Sequence, residues 1–332
     1  MKPSRNFESC QVLGATGFIG GQIARTCHEH GIVTRCLRRS PEATGHLGET
    51  PVQWVEGNLE DLDSLVNAMQ DVDVVFHAAG YYPSKGKPSQ VTEQVRLGRQ
   101  EIETVLQACK LSKVKLLVYT SSLTTIGNPP AKENRLANET DLYIPGTVGK
   151  SGYYESKHVM EQLVLEADGK GIETIVLNPT AVFGPGDVHM TMGKILLAVK
   201  EGKVFFWIPG TTNVVDVRDV AAGHLAAAIK GKSGERYILG GENMTLKELI
   251  TRVGSLYNVS PPRFKVGVRT IGTIVKVLDA IPFLSAGNHM RAIPFWQGFD
   301  TSKAVDELGF TSRSLEETVT DAINWFEKEG LI

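Results

Sequence analysis

The chain has no run of about 18 apolar residues, the length a helix needs to cross a bilayer. "FFWIPG" (205–210) is far too short for that and reads as core or pocket wall. The opening "MKPSRNFESCQVLG" has no continuous apolar segment of the signal-peptide kind, which predicts a chain without one. Four cysteines (Cys10, Cys27, Cys36 and Cys109) in 332 residues show no CxxC spacing. That predicts a reducing compartment and argues against a disulfide framework or a zinc site. None of the eight histidines joins a ligand set; His28 and His30, two apart on a predicted helix, diverge. With 35 Lys plus Arg against 37 Asp plus Glu, the formal charge is −2, too small for a field that draws nucleic acid or an anionic membrane. The expectation is a soluble cytoplasmic protein with a small-molecule substrate, no metal, and neither nucleic acid nor membrane as partner.

What is present is an alternation. Strand-like runs at 9–15, 32–38, 52–58, 72–80, 115–122 and 173–179 are separated by helical segments at 19–31, 59–70, within about 89–111, and after residue 151. This order predicts an α/β fold, a parallel sheet covered by helices on both faces, with ligands at the carboxyl ends of its strands. After Pro179 the pattern loosens at "GPGD" (184–187), "IPGTTN" (208–213) and "SPPRF" (260–264). Residues 213–231 read as a strand and helix that rejoin the first domain. The predicted division is therefore 1–180 plus about 211–240 for a dinucleotide-binding domain, and about 181–210 and 241–332 for a smaller substrate-binding lobe.

"GATGFIG" (14–20) lies between the first strand and its helix. Gly14, Gly17 and Gly20 permit a tight turn, close approach of backbone to phosphate, and close helix–strand packing. The helix start offers unpaired N–H groups to an anion. An NAD site usually has an acidic residue at the end of the second strand, for the ribose 2′-hydroxyl. Here that place holds Arg38 and Arg39, guanidiniums suited to a 2′-phosphate, so NADP is favoured with NAD as the alternative.

"YYESK" (153–157) places Tyr153 four residues before Lys157, and Tyr154 four before His158. Residues four apart share a helix face, so the two pairs point about 100° apart. An unperturbed phenol is a poor base at neutral pH, and a nearby ammonium favours the phenolate. Tyr153–Lys157 is thus the predicted proton-transfer pair, with Tyr154 and His158 assigned to packing or a dimer surface. The third member belongs at the end of "KLLVYTSS", where Ser121 and Ser122 both qualify. His77 reads as a packed strand-end residue.

The motifs together resemble the extended short-chain dehydrogenase/reductase superfamily, the NAD-dependent epimerase/dehydratase family. Those carrying the likeness are "GATGFIG", "GNLED" (57–61), "FHAAG" (76–80), "LVYTSS" (117–122), "YYESK", "NPTAVFGPGD" (178–187), "VVDVRDVAAGH" (214–224) and "FDTSKAVDELGF" (299–310). The flavour is that of dihydroflavonol-reductase-like proteins and hopanoid-associated sugar epimerases. The resemblance implies a Rossmann-type doubly wound sheet with a smaller C-terminal substrate lobe. It selects Ser122 over Ser121 and makes Ser122, Tyr153 and Lys157 the catalytic set, the lysine also holding the nicotinamide ribose. Cofactor contacts are implied at Gly14, Thr16, Gly17, Phe18, Ile19, Gly20, Asn58, Leu59, Ala78, Ala79, Gly80, Thr120, Pro179 and Val182, beside Arg38 and Arg39. Many relatives have Asp at position 58. Tyr81, Asn178 and Thr180, with Ser122, are the candidate substrate contacts, and Tyr82 is another by position. A homodimer through the helices at about 89–111 and 152–168 is implied as well. The chain also departs from the pattern in the helix after the fourth strand (89–113), which has no Asn.

"FFWIP" (205–209), "IPFL" (281–284) and "IPFWQGF" (293–299) suit a hydrophobic or aromatic substrate. The leading expectation is an NADP(H)-dependent reductase or dehydrogenase acting on a ketone, aldehyde or secondary alcohol. The alternative, a nucleotide-sugar epimerase or dehydratase, calls for cations around a diphosphate; Arg263, Arg269 and Arg291 form no motif. A dehydratase often has acidic residues after the serine, and "SSLTTIG" has none. A cofactor-sensing regulator typically lacks the Tyr–Lys pair.

Overall fold

A computed structural model describes residues 5–332 apart from 49, 81–87, 149–150, 191, 281–291 and 293–294. Tyr81, Tyr82, Arg291, "IPFL" and the first two residues of "IPFWQGF" lie outside the described residues.

The first half alternates as the sequence predicts: β1 (Ser9–Leu13), α1 (Phe18–Glu29), β2 (Val33–Arg38), β3 (Gln53–Glu56), α2 (Leu62–Ala68), β4 (Val74–His77), α3 (Val91–Leu111), β5 (Leu116–Thr120), α4 (Gly152–Ala167) and β6 (Glu173–Pro179). The second half runs β7 (Ala181–Phe183), α5 (Gly193–Lys200), β8 (Phe206–Trp207), β9 (Thr211–Asp216), α6 (Val217–Lys230), β10 (Arg236–Leu239), β11 (Glu242–Thr245), α7 (Leu246–Ser255), β12 (Phe264–Lys265), α8 (Val268–Ala280), α9 (Ser302–Leu308) and α10 (Leu315–Lys328). Local chemistry sets several boundaries. Gly31, at φ +77°, follows α1 in the left-handed conformation that terminates helices. Asp61 caps α2 by accepting from the N–H groups of Asp63 and Ser64.

Seven parallel strands pair in the order β10-β6-β5-β4-β1-β2-β3. β4 and β5 are buried at every residue, as strands covered on both faces must be. On one face Ile23 and Cys27 of α1 pack with Val220 and Ala227 of α6 and with Ala304 and Leu308 of α9. On the other, Leu65 of α2, Ile102 and Val105 of α3, and Met160 and Val164 of α4 form a second core. Each such fully buried aliphatic side chain contributes about 1.5–3 kcal/mol.

β1 pairs with β2 on one side and β4 on the other, so the winding reverses beside it. A crevice opens at such a reversal, outside the carboxyl ends of the strands.

A smaller sheet, β11-β9-β7, packs with α5, α7 and α10 around Phe183, Leu249 and Phe326. The strand expected to rejoin the large sheet within 213–231 is β9, and it belongs to this small sheet instead. The side chain of Asn213 holds it there, donating to the Gly241 carbonyl (3.1 Å) and to Asn243 (3.0 Å). Its helix, α6, does return to the large sheet. β10, a short segment led by an arginine, supplies the seventh strand.

Candidate active site

The glycine turn sits in the crevice. Gly14 has φ +87°, and a Cβ there would lie 2.6 Å from the backbone nitrogen of Ala79. A Cβ on Gly20 would lie 2.1 Å from the Gly14 carbonyl oxygen, so α1 and β1 approach as only glycine permits. The Gly17 N–H donates to the Gly14 carbonyl (2.9 Å), and no side chain caps the start of α1. Phe18, Ile19 and Thr16 line the cavity with this turn, as do Asn58, Leu59, Ala78, Ala79, Gly80, Pro179 and Val182. Gly20 itself serves the packing behind. A nucleotide cofactor therefore fits the turn by its geometry: backbone is exposed where phosphate would lie, and a side chain is excluded there.

The two arginines at the end of β2, Arg38 and Arg39, both line the cavity, but Arg38 is already engaged. Arg38 lies over the Trp54 ring (5.4 Å), donates to the Pro41 carbonyl (2.6 Å) and stands 4.0 Å from Glu56. Arg39 is exposed and lines the cavity. His46 was not anticipated. Its Nε2 lies 3.1 Å from the Phe18 carbonyl oxygen, and its ring faces Gly21 and Gly186. Burial pushes its pKa down, so it is a neutral spacer between the turn and the "GPGD" loop. No local motif marks it, because its partners are remote in sequence.

Ser122 and Tyr153 open onto the same cavity. Ser122 follows β5 and caps a short turn, its Oγ accepting from the Thr124 N–H (3.3 Å). Ser121 also lines the cavity, its Oγ 3.5 Å from that of Thr125. Lys157 is buried beneath, its Nζ donating to the Thr120 carbonyl (3.1 Å) and the Tyr119 hydroxyl (3.4 Å). Burial pushes the Lys157 pKa down to about 8, opposed by the charges of Glu101 and Glu161. Glu101, on α3, is another residue that sequence reading missed: it lines the cavity and faces Gly80 together with Lys157. His77 is fully buried against Tyr119 (ring centroids 5.4 Å) and its pKa falls to about 3 through burial, as a packed neutral side chain.

Two expected contacts need correction. The Thr120 hydroxyl points away from the cavity to His224 Nε2 (2.8 Å), and only its carbonyl serves the site, through Lys157. Asn178 is fully buried and does not reach the cavity. Its amide donates to the Ser122 carbonyl (3.2 Å), to Thr125 Oγ1 (2.8 Å) and to Glu161 (2.8 Å). Glu161 also accepts from Thr125 Oγ1 (2.6 Å) and meets Arg236 Nε at 2.8 Å, a charge contact between side chains only 1% and 7% exposed. Glu161 stands one helical turn beyond Lys157, so this cluster clamps α4 to the ends of β5 and β6 and to β10. A residue at a strand end points into a cavity or behind it, and the linear spacing does not distinguish the two.

Tyr154 is buried against Tyr143 (5.6 Å) and lines the cavity, so it packs rather than facing a dimer surface. Tyr143 also donates to Glu155 (2.7 Å) and stacks near His158 (5.6 Å). Thr180 lines the cavity and its hydroxyl donates to Asn213 (2.8 Å).

The cavity measures about 1350 Å³. Away from the glycine turn its walls are mostly apolar, Ile126, Leu142, Phe206, Trp207, Leu249, Phe295, Trp296 and Phe299 among them, with Asn128, Asp187, His189 and Gln297 among the polar exceptions. Lys194 is the one lysine among the described residues that line it, and Arg263 and Arg269 do not.

Comparison with known proteins agrees with this geometry. Residues 10–240 match the model of the NAD dependent epimerase/dehydratase family. A Synechocystis protein assigned as a dihydroflavonol 4-reductase is 30% identical over 335 residues, covering 97% of this chain and 95% of that protein. Sterol demethylase protein B of Methylococcus capsulatus is 26% identical over 331 residues, covering 97% and 99%. The crystal structure of gox2253 superposes with a TM-score of 0.84 at 29% identity, covering 97% and 99%. The glycine turn at the sheet's reversal, the serine and tyrosine on one cavity and these full-length likenesses have one reading: the chain belongs to the NAD dependent epimerase/dehydratase family, as an NAD(P)-dependent oxidoreductase of the extended short-chain dehydrogenase/reductase type.

Proposed function

We propose that the protein interconverts a ketone or aldehyde and an alcohol on an apolar substrate, with NADP(H) as redox partner. The observation that carries this reading is the shared cavity: Ser122, Tyr153 and the glycine turn open onto one space whose remaining walls are mostly hydrocarbon. Apolar walls with few polar groups suit an apolar ligand oriented by those groups. The sterol named for the Methylococcus relative is of that chemical class.

The glycine turn and the start of α1 would hold the cofactor's phosphates, and Arg39 its 2′-phosphate. Bound there, the cofactor supplies or accepts a hydride. Ser122 orients the substrate oxygen by hydrogen bonding. Tyr153 gives that oxygen a proton in reduction and removes it in oxidation. The Lys157 ammonium, placed one helical turn away on the same face, lowers the cost of the phenolate. With a pKa of about 8, Lys157 is largely protonated at neutral pH. The apolar walls exclude water that would compete for the reacting oxygen. The scarcity of cations on the substrate side disfavours a nucleotide-sugar substrate, and Leu123 and Thr124 after Ser122 disfavour a dehydratase.

Tyr153→Phe is expected to lose about 10²–10⁴-fold in kcat while still binding NADPH. Tyr154→Phe, which keeps its ring on Tyr143, should change kcat by less than about threefold. Full turnover by Tyr153→Phe in a carbonyl screen followed by NADPH absorbance overturns the mechanism. A homodimer through α3 and α4 belongs to the same proposal, and a monomer by light scattering counts against it.

A further inference from the structure

Beside the cavity mouth, β8 and β12 pair as an isolated parallel ribbon. Large apolar side chains exposed singly are ordinary, but this ribbon and the residue before β8 gather three. Phe205, Phe206 and Phe264 are 61%, 38% and 63% exposed, and the rings of Phe205 and Phe206 touch edge to face at 5.8 Å. Around them stand cations. The ammonium groups of Lys247 and Lys265 each lie 5.5 Å from the Trp207 ring centroid. Arg263 and Arg269 are exposed just before and after β12. From residue 249 to residue 278 the chain contains no Asp or Glu. Aromatic side chains ringed by Lys and Arg are the chemistry of a membrane–water interface, where rings enter the headgroup region and cations meet anionic lipid. Two copies of the chain pairing through this ribbon would bring their cation rings together, which like-charge repulsion opposes.

We propose that this ribbon docks on an anionic lipid surface. This reverses the expectation drawn from net charge, because the charge of the whole chain hides a local excess. The ribbon is also a wall of the cavity, through Phe206 and Trp207. Docking therefore brings the cavity mouth to the bilayer, and an apolar substrate enters without crossing water. That consequence rests on the proposed substrate class; the docking itself does not. No described helix is long and apolar enough to span a membrane.

The test is flotation of the full-length protein with phosphatidylcholine vesicles, with and without phosphatidylserine, at low and high salt. Binding is expected to require phosphatidylserine and to weaken with salt. Arg263→Ser/Lys265→Ser should lower partitioning by roughly 25-fold, each near-surface cation contributing about fivefold. Phe205→Ser/Phe264→Ser should also release the protein. None of these four side chains lines the cavity, so both variants should keep wild-type melting curves and wild-type turnover of a water-soluble ketone. Absence of vesicle binding, or equal binding by wild type and variants, overturns the proposal. So does concentration-dependent self-association that the phenylalanine variant abolishes without vesicle binding, which would make the ribbon an interface between copies. Flotation is read without substrate: a wild type that binds vesicles but reduces no ketone overturns the proposed reaction and leaves the docking standing.

Discussion

Replacing Lys157 by Met should leave the cofactor-free protein at least as stable at neutral pH while removing its activity. Lys157 is 7% exposed, and burial lowers its pKa from 10.5 to about 8. A lysine whose folded pKa lies below its unfolded one weakens the fold wherever it is protonated in both states, here below pH 8. Between pH 8 and 10.5 the unfolded chain binds the extra proton, so stability from this group rises with pH; above 10.5 the penalty is gone. The two values correspond to about 3 kcal/mol. Methionine fills the stem's space without the charge but gives up the bonds to the Thr120 carbonyl and Tyr119 hydroxyl, a loss of about 1–3 kcal/mol. At pH 7 the variant should therefore range from parity to about 2 kcal/mol more stable than wild type. The sharper quantity is the pH dependence of the difference. Urea unfolding followed by circular dichroism should show the variant's advantage shrinking by about 3 kcal/mol between pH 8 and 10.5. A difference that stays flat across that window refutes the argument, whatever its size.

Three further outcomes follow from the site. Arg236→Met leaves the Glu161 carboxylate buried without its cation and should cost about 3–5 kcal/mol in thermal or urea unfolding, with much of it recovered in Arg236→Met/Glu161→Met. Gly20→Ala places a methyl against the Gly14 carbonyl and should cost about 1–3 kcal/mol and weaken NADPH binding, read by nucleotide fluorescence; unaltered binding would contradict the close packing. Arg39→Ala should raise the Kd for NADPH about 10–100-fold and leave NADH unchanged, and an equal effect on both would remove Arg39 from the 2′-phosphate site.

The chemistry near the strand ends was legible because it is local. A glycine turn, a serine pair and a tyrosine four residues before a lysine are complete within a few residues each, and alternation placed them at the carboxyl ends of strands. What stayed hidden depends on distant partners. Asn178 and Thr120 occupy the expected positions, yet their side chains serve Glu161 and His224 behind the cavity. β6 and β5 are apolar on both faces, so their pattern does not mark the open one. The Glu161–Arg236 contact joins residues 75 apart, and His46 meets the glycine turn from a loop with no motif. β9 left the large sheet because the amide of Asn213 finds its partners in β11 and at Gly241, a choice made by tertiary hydrogen bonds rather than by strand propensity.

The clamp around Glu161 separates what reacts from what is chosen. It ties α4, with Tyr153 and Lys157, to the strand ends that carry Ser122, and all its members come from the large sheet, its helices and the turn after β5. The walls at Phe206, Trp207, Leu249 and Phe295 to Phe299 contribute no atom to it. Those walls are thus exchangeable furnishing around a fixed machine. Replacing them would redirect the enzyme to a differently shaped molecule while the atoms proposed to move the proton keep their places.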